Sequence, residues 1–338
     1  MKTATLLTLL RDGRVGTLLA ATRAMRASYR VPFLAAAVEG GVLRLLARGP
    51  VSLDRLVTDL GAAPSLRDGL EAWLGLGVSL GEIGLGPEGY RLRGRLARRL
   101  AEPEHDATAA LVVETARLHW RLIMETPERL RAARPFTLAD QDGPLVARSS
   151  RSVEPFVGEA VDDAVPARGA LRLLEIGCGS GIYIRRAAMR NPELTALGLE
   201  LQPDVAAVAT ENLAGWGLAS RVRVEAGDVR RRAPEASFDL ATLHNNIYYF
   251  PVGERVGLLR HVRGFLRPGG RLLLTTICLG KGSAVDVLSL WGAMTAGCGR
   301  AAGVVELVAQ MGEAGFASVR SKSLIPGESF HAFVGTSP

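Results

Sequence analysis

The sequence predicts an α/β protein in two parts: a mostly helical first half, then a seven-stranded, largely parallel sheet that finishes in an antiparallel hairpin. Three observations predict it. Past Val157, short apolar runs alternate with helical patterns, as in parallel strands joined by crossover helices. The run Leu171 to Ile176 passes straight into Gly177, Gly179 and Gly181, and a helical pattern begins at once. Residues 31 to 100 read as three helices followed by two short strands, the plan of a winged helix. The two parts are expected to span 1–150 and 151–338.

The opening stretch, "MKTATLLTLLRDGR", has an apolar run too short and too interrupted for a secretory signal. It reads as an amphipathic helix or a dimer arm. "VPFLAAAVEGGVLRLLARGP" has apolar residues at helical spacing and stops at Gly49-Pro50. In "VSLDRLVTDLG", Ser52 is placed to cap a short helix that ends at Gly61. "SLRDGLEAWLGLGVSLG" is a third helix, with Ser65 expected as its cap, and "IGLGPEGYRLRG" reads as two strands around a Gly-Pro turn. A longer helical stretch covers Asp106 to Arg134, and "PFTLADQDGPLVARSSRSVEP" reads as a linker. Beyond the glycine loop, "LTALGLELQ" is a strand ending at Glu200, "RVRVEAGDVR" a third strand and "FDLATL" a fourth. "FLRPGGRLLLTTICL" contributes a helix end, a Pro-Gly-Gly turn and a fifth strand. Two C-terminal strands meet through Pro326-Gly327.

With 338 residues and 48% hydrophobic content, the chain can fill the cores of about two domains. No apolar run approaches the roughly 18 residues of a membrane span, so no integral membrane role is expected. Cys178, Cys278 and Cys298 show no spacing for disulfides or zinc, which indicates a reducing, cytoplasmic compartment. The net charge of +7 is carried almost wholly by arginine, as in "RLRGRLARR". A nucleic-acid partner is disfavoured, because no aromatic residues interleave with that run. In addition, "LEAWLGLGVSLG", at the recognition-helix position, is too apolar for a major groove. The apolar helices from Val31 to Gly77 exceed what one small winged helix buries, which points to a homodimer.

The candidate site begins at the glycine loop. Its spacing is G-x-G-x-G, and Glu175 precedes it. A pyrophosphate on a helix N-terminus gains nothing from a carboxylate there, whereas a cationic ligand does. Glu200, about twenty residues on, is placed for two ribose hydroxyls. Asp228, after the third strand, can accept from an adenine amino group. "HNNIYYFP" follows the fourth strand, at the sheet end where doubly wound folds bind ligands.

Glu175-Ile-Gly-Cys-Gly-Ser-Gly181, Glu200, Gly227-Asp228 and Pro268-Gly269-Gly270, in this order, resemble the class I S-adenosylmethionine-dependent methyltransferases, with their Rossmann-like sheet. The first half resembles the winged-helix dimerisation domain that precedes this domain in many small-molecule methyltransferases and helps roof their substrate pocket. The resemblance implies S-adenosyl-L-methionine as cofactor. Glu175, Gly177, Gly179 and Gly181 would hold its methionine part, with Glu200, Leu201, Gly227, Asp228, Val229 and Asn245 around the nucleoside. It further implies methyl transfer to a small molecule beside His244 and Tyr248, with no metal. His119, Trp120, Arg148, Arg151, Asn246, Tyr249 and Trp291 are the candidates for the acceptor.

The chain departs from its winged-helix relatives after the fourth strand. Aligned on Pro251 and Glu254-Arg255, Tyr248 stands where those enzymes carry their histidine base, and His244 lies four residues earlier. Either His244 is the base, or the acceptor is a nucleophile that needs little proton removal. Metal-dependent 2-oxoacid C-methyltransferases, which share the two-domain plan, are an alternative. Their second histidine has no counterpart in "VLSLWGAMTAGCGR", which offers only Cys298. A DNA-binding regulator with a cofactor-sensing domain is the other.

Overall fold

The computed structural model describes residues 11–280 and 282–338. The first ten residues, where an amphipathic helix or dimer arm is expected to begin, lie outside the described residues. The chain divides into two compact units, Met1–Arg117 and Leu118–Pro338. That division falls upstream of the composition change at 150/151.

The first unit is helical. Helix α1 (Arg14–Glu39) is followed by α2 (Val42–Leu46), α3 (Leu53–Asp59) and α4 (Arg67–Leu80). A hairpin of β1 (Ile83–Gly86) and β2 (Gly89–Leu92) comes next, then α5 (Arg95–Leu100) and α6 (Asp106–Glu114). The single helix expected to run to Gly49-Pro50 is thus two. Gly40-Gly41 separates them, with Gly41 in the left-handed region at φ +73°. Ser52 caps α3 by accepting from Arg55 N at 3.3 Å. Ser65 caps nothing, because Pro64–Leu66 forms a 3₁₀ turn ahead of α4. The apolar core gathers Phe33, Leu34, Leu43, Leu46, Leu56, Leu74, Ile83 and Tyr90. Gly77 sits under Phe33, whose Cζ would lie 2.2 Å from a Cβ there, so α1 and α4 approach closely only without a side chain.

The second unit opens with α7 (Trp120–Arg131), α8 (Gly143–Ser149) and α9 (Glu154–Ala164). Residues 135–155, read from sequence as a linker, are therefore largely helical. Asp142 caps α8 by accepting from Leu145 N at 3.0 Å. Strands and helices then alternate: β3 (Leu171–Ile176), α10 (Ile182–Arg190), β4 (Leu194–Glu200), α11 (Pro203–Gly215) and β5 (Val222–Ala226). Next come β6 (Phe238–His244), α12 (Arg255–Arg263), β7 (Leu266–Ile277), α13 (Ser283–Met294) and α14 (Val304–Glu313). The hairpin β8 (Ala317–Ser323) and β9 (Phe330–Thr336) closes the chain. The expected Pro-Gly-Gly turn lies inside β7, where the pairing with β6 is irregular and Gly269 has φ +79°.

The strand order is β5-β4-β3-β6-β7-β9-β8. Pairing is parallel from β5 to β7 and antiparallel on both sides of β9. Successive residues of β3 face opposite sides: Leu173 joins the core on one face, Leu174 the core on the other. Strand order reverses between β3 and β6, and this switch point is where an open α/β sheet leaves a crevice.

Candidate active site

Three carboxylates stand at the carboxyl ends of three adjacent strands. Glu175, on β3, is 1% exposed, and neither of its oxygens has a hydrogen-bond partner. Burial, reinforced by the charge of Glu200, pushes its carboxyl well above the usual range. An uncompensated buried carboxylate is costly, and a cation brought beside it removes that cost. Glu200, at the end of β4, is also buried and raised by burial, but its oxygens are occupied. Gly179 N donates to Oε2 at 3.0 Å and Gln202 N to Oε1 at 3.2 Å. Asp228, past β5, is held below the usual carboxylate range, chiefly by the Arg230 side chain, whose Nη2 donates to Oδ2 at 2.7 Å.

The glycine loop joins β3 to α10 with Gly177 at φ +67° and Gly179 at φ +54°. A Cβ at Gly177 would lie 2.5 Å from Asn246 Nδ2, the atom that donates to Ile176 O. The loop is thereby pinned to the segment after β6.

A cavity of about 340 Å³ opens at these strand ends. Of the residues singled out from sequence for a cofactor, Gly177, Gly179, Glu200, Leu201, Gly227, Asp228, Val229 and Asn245 line it. Glu175 lies buried on β3, and Gly181 packs against Leu213. His244, Asn246, Tyr248 and Tyr249 also line the cavity. His119, Trp120, Arg148 and Trp291 do not. Arg148 is exposed on α8, and Trp291 is 4% exposed on α13, behind the two tyrosines at ring distances of 6.0 and 5.1 Å. Arg151 pairs with Glu154 at 3.0 Å and lines a small adjoining cavity of about 40 Å³.

His244 ends β6 with Nδ1 2.9 Å from Thr275 Oγ1, while Nε2 has no partner. Burial drives its pKa down to about 3, so the ring is a neutral imidazole at physiological pH. Tyr183 meets it edge-on at 4.8 Å, with its own hydroxyl buried and unpartnered.

Sequence reasoning drew Arg148 and Arg151 from the segment before α9 but missed the face of that segment that lines the cavity. Gly143, Val146, Ala147 and Ser150 line the cavity from α8 and the turn after it. Their spacing of i, i+3, i+4 and i+7 was a readable helical signal, hidden by turn-forming residues on either side. Leu138, Ile176, Leu199, Gln202, Val205, Arg230, Ala296 and Gly297 were missed as well, whereas Phe250 lines the cavity within the "HNNIYYFP" cluster that the sequence singled out.

Residues 174–272 match the model of a methyltransferase domain. Among curated proteins, the chain is 28% identical to the ubiquinone biosynthesis O-methyltransferase of Xanthomonas euvesicatoria pv. vesicatoria over 138 residues, 41% of this chain and 55% of that protein. The chain spans about half the length of the curated relatives it matches. Among solved structures it is similar to the mitomycin 7-O-methyltransferase MmcR, with a TM-score of 0.79 at 22% identity, covering 96% of this chain and 99% of that one. Human N-acetylserotonin methyltransferase in complex with SAM gives 0.71 at 18% identity, with 100% and 98% covered. These structural likenesses concern the fold. Together with the domain match and the ordered motifs around the switch-point cavity, they identify the chain as carrying a class I S-adenosylmethionine-dependent methyltransferase domain.

Proposed function

We propose that this protein transfers a methyl group from S-adenosylmethionine to a small-molecule acceptor, acting as a cytoplasmic homodimer. The observation that carries the reading is the row of acids at three adjacent strand ends: Glu175, buried and unpartnered on β3, beside Glu200 and Asp228, which line the cavity. The donor set fits the cofactor: Glu175 suits its ammonium, Glu200 its ribose hydroxyls and Asp228 its adenine amino group. When bound, S-adenosylmethionine supplies a sulfonium methyl group open to in-line attack. The chain's own residues then position and shield. Tyr248, Tyr249 and Phe250 give the β6 end of the cavity an aromatic wall that favours a cation and excludes water. His244, neutral and with Nε2 unpartnered, offers a hydrogen bond rather than a strong base, since a general base works best with a pKa near the operating pH. This supports an acceptor whose attacking atom needs little proton removal. Free Cys178, Cys278 and Cys298 support the cytoplasmic assignment, and no described helix is long and apolar enough to cross a membrane.

Calorimetry with S-adenosylhomocysteine tests the cofactor assignment. Glu200→Ala and Asp228→Ala each remove a hydrogen bond to a charged acceptor, worth about 1.5–3 kcal/mol, so the dissociation constant should rise at least about tenfold. Unchanged binding in both variants would refute the assignment.

A further inference from the structure

Asp228 is the one member of the acidic triad already bound to a cation of the chain itself. Its Oδ1 accepts from Arg230 N and Arg230 Nε, both at 3.0 Å. Its Oδ2 accepts from Arg230 Nε at 3.0 Å and Nη2 at 2.7 Å. A carboxylate oxygen has two lone pairs, so each of these oxygens has its complement. The backbone bond belongs to the 3₁₀ turn Val229–Arg231 and is fixed; the side-chain bonds are not. Arg230 is 44% exposed and lines the same cavity as Asp228. A second acid is within its reach: Nη1 lies 3.5 Å from Glu254 Oε2. The guanidinium also lies over an apolar platform, its carbon 5.5 Å from the centre of the Phe250 ring.

We infer that Arg230 is an affinity-determining latch of this cavity: it covers Asp228 in the free protein and moves along Phe250 to Glu254 when a ligand amino group takes Asp228. The inference rests on the cofactor reading above and adds to it a residue that competes with the ligand. An adenine amino group is neutral, and it must displace a guanidinium fork that matches the carboxylate on two nitrogens. Glu254 makes the exchange feasible by accepting the displaced charge. Affinity is therefore set by the balance between two acids for one arginine.

The test is the dissociation constant of S-adenosylhomocysteine, by calorimetry at fixed ionic strength, for wild type, Arg230→Ala, Glu254→Gln and the double variant. Arg230→Ala should bind at least about fivefold tighter, because Asp228 stands uncovered, and Glu254→Gln at least about threefold weaker, because the arginine loses its second partner. In the Arg230→Ala background, Glu254→Gln should change nothing. Weaker binding by Arg230→Ala would mean that the arginine contacts the ligand, and would overturn the latch. Equal constants in all four proteins would overturn it as well, with the cofactor reading intact. A wild-type protein that fails to bind S-adenosylhomocysteine would remove the cofactor reading and the latch together.

Discussion

Glu175 and His244 are buried titratable groups at the ends of neighbouring region strands, and burial drives both toward their neutral forms: the carboxyl up, the imidazole down to about 3. For Glu175 the consequence for stability has a definite sign. Its folded-state pKa lies above that of the unfolded chain, so above about pH 4.3 the unfolded chain releases a proton that the folded protein retains. The ligand-free protein should lose stability as pH rises from there through the folded-state pKa. Glu175→Gln removes the carboxyl and keeps the shape, so its ligand-free melting temperature at pH 8 should equal or exceed that of wild type. Its affinity for S-adenosylhomocysteine should fall at least about tenfold, because the ammonium partner is gone. A variant that melts lower and binds equally well would show that Glu175 serves the fold and not the ligand. This is the usual opposition between stability and function at a site built for a missing charge.

The segment after β6 illustrates the element scale. It leaves the strand through Asn245, at φ +52°, whose N–H donates to Thr275 O at 2.7 Å. Gly299 N then donates to Tyr248 O at 2.9 Å. Arg255, 0% exposed at the start of α12, donates from Nε to Phe250 O at 3.1 Å and from Nη2 to Arg300 O at 2.6 Å. One buried guanidinium thus ties two cavity-lining segments together, and burial lowers its pKa to about 10. Arg255→Met deletes two charge-assisted bonds and leaves two buried carbonyls, a loss of about 3 kcal/mol or more. In scanning calorimetry, that should lower the melting temperature by roughly 6–12 °C. Arg255→Lys should recover only part of it, because an ammonium cannot span both carbonyls as a fork does. A melting temperature within about 2 °C of wild type in Arg255→Met would show that the tether carries no stability. Nothing in "GERVGLLRHV" marks this arginine as buried. Its burial depends on residues 45 positions away, which no local pattern encodes.

At the scale of the whole molecule, the exposed part of α1 supports the proposed homodimer. Residues 16–27 are all exposed, and Leu18, Leu19, Met25 and Tyr29 on this helix are 64%, 54%, 41% and 50% accessible. A helical arm without packing on an apolar face is marginal in water. A second copy covering it gives it that packing. Light scattering at micromolar concentration should give a dimer, and Leu18→Asp with Leu19→Asp should shift it to a monomer. S-adenosylhomocysteine binding should persist in that monomer, since every residue proposed to hold it lies in the sheet unit. A wild-type monomer would refute the assembly.

The sequence by itself determined the sheet, the glycine loop, the winged-helix-like order of the first unit and the positions of Glu175, Glu200 and Asp228. Each of these is written in local terms: a period of two or 3.6, a glycine where φ must be positive, an acid at a strand end. Only the tertiary structure decided the rest. It turned residues 135–155 from an expected linker into a cavity wall and set Trp291 behind Tyr248 and Tyr249. It covered Asp228 with Arg230, made His244 a neutral imidazole and buried Arg255 between two loops. The physical reason is common to all of these. Burial, and with it the dielectric and the choice of partners that set a group's charge state, is produced by segments distant in the chain, so it exists only once they are packed.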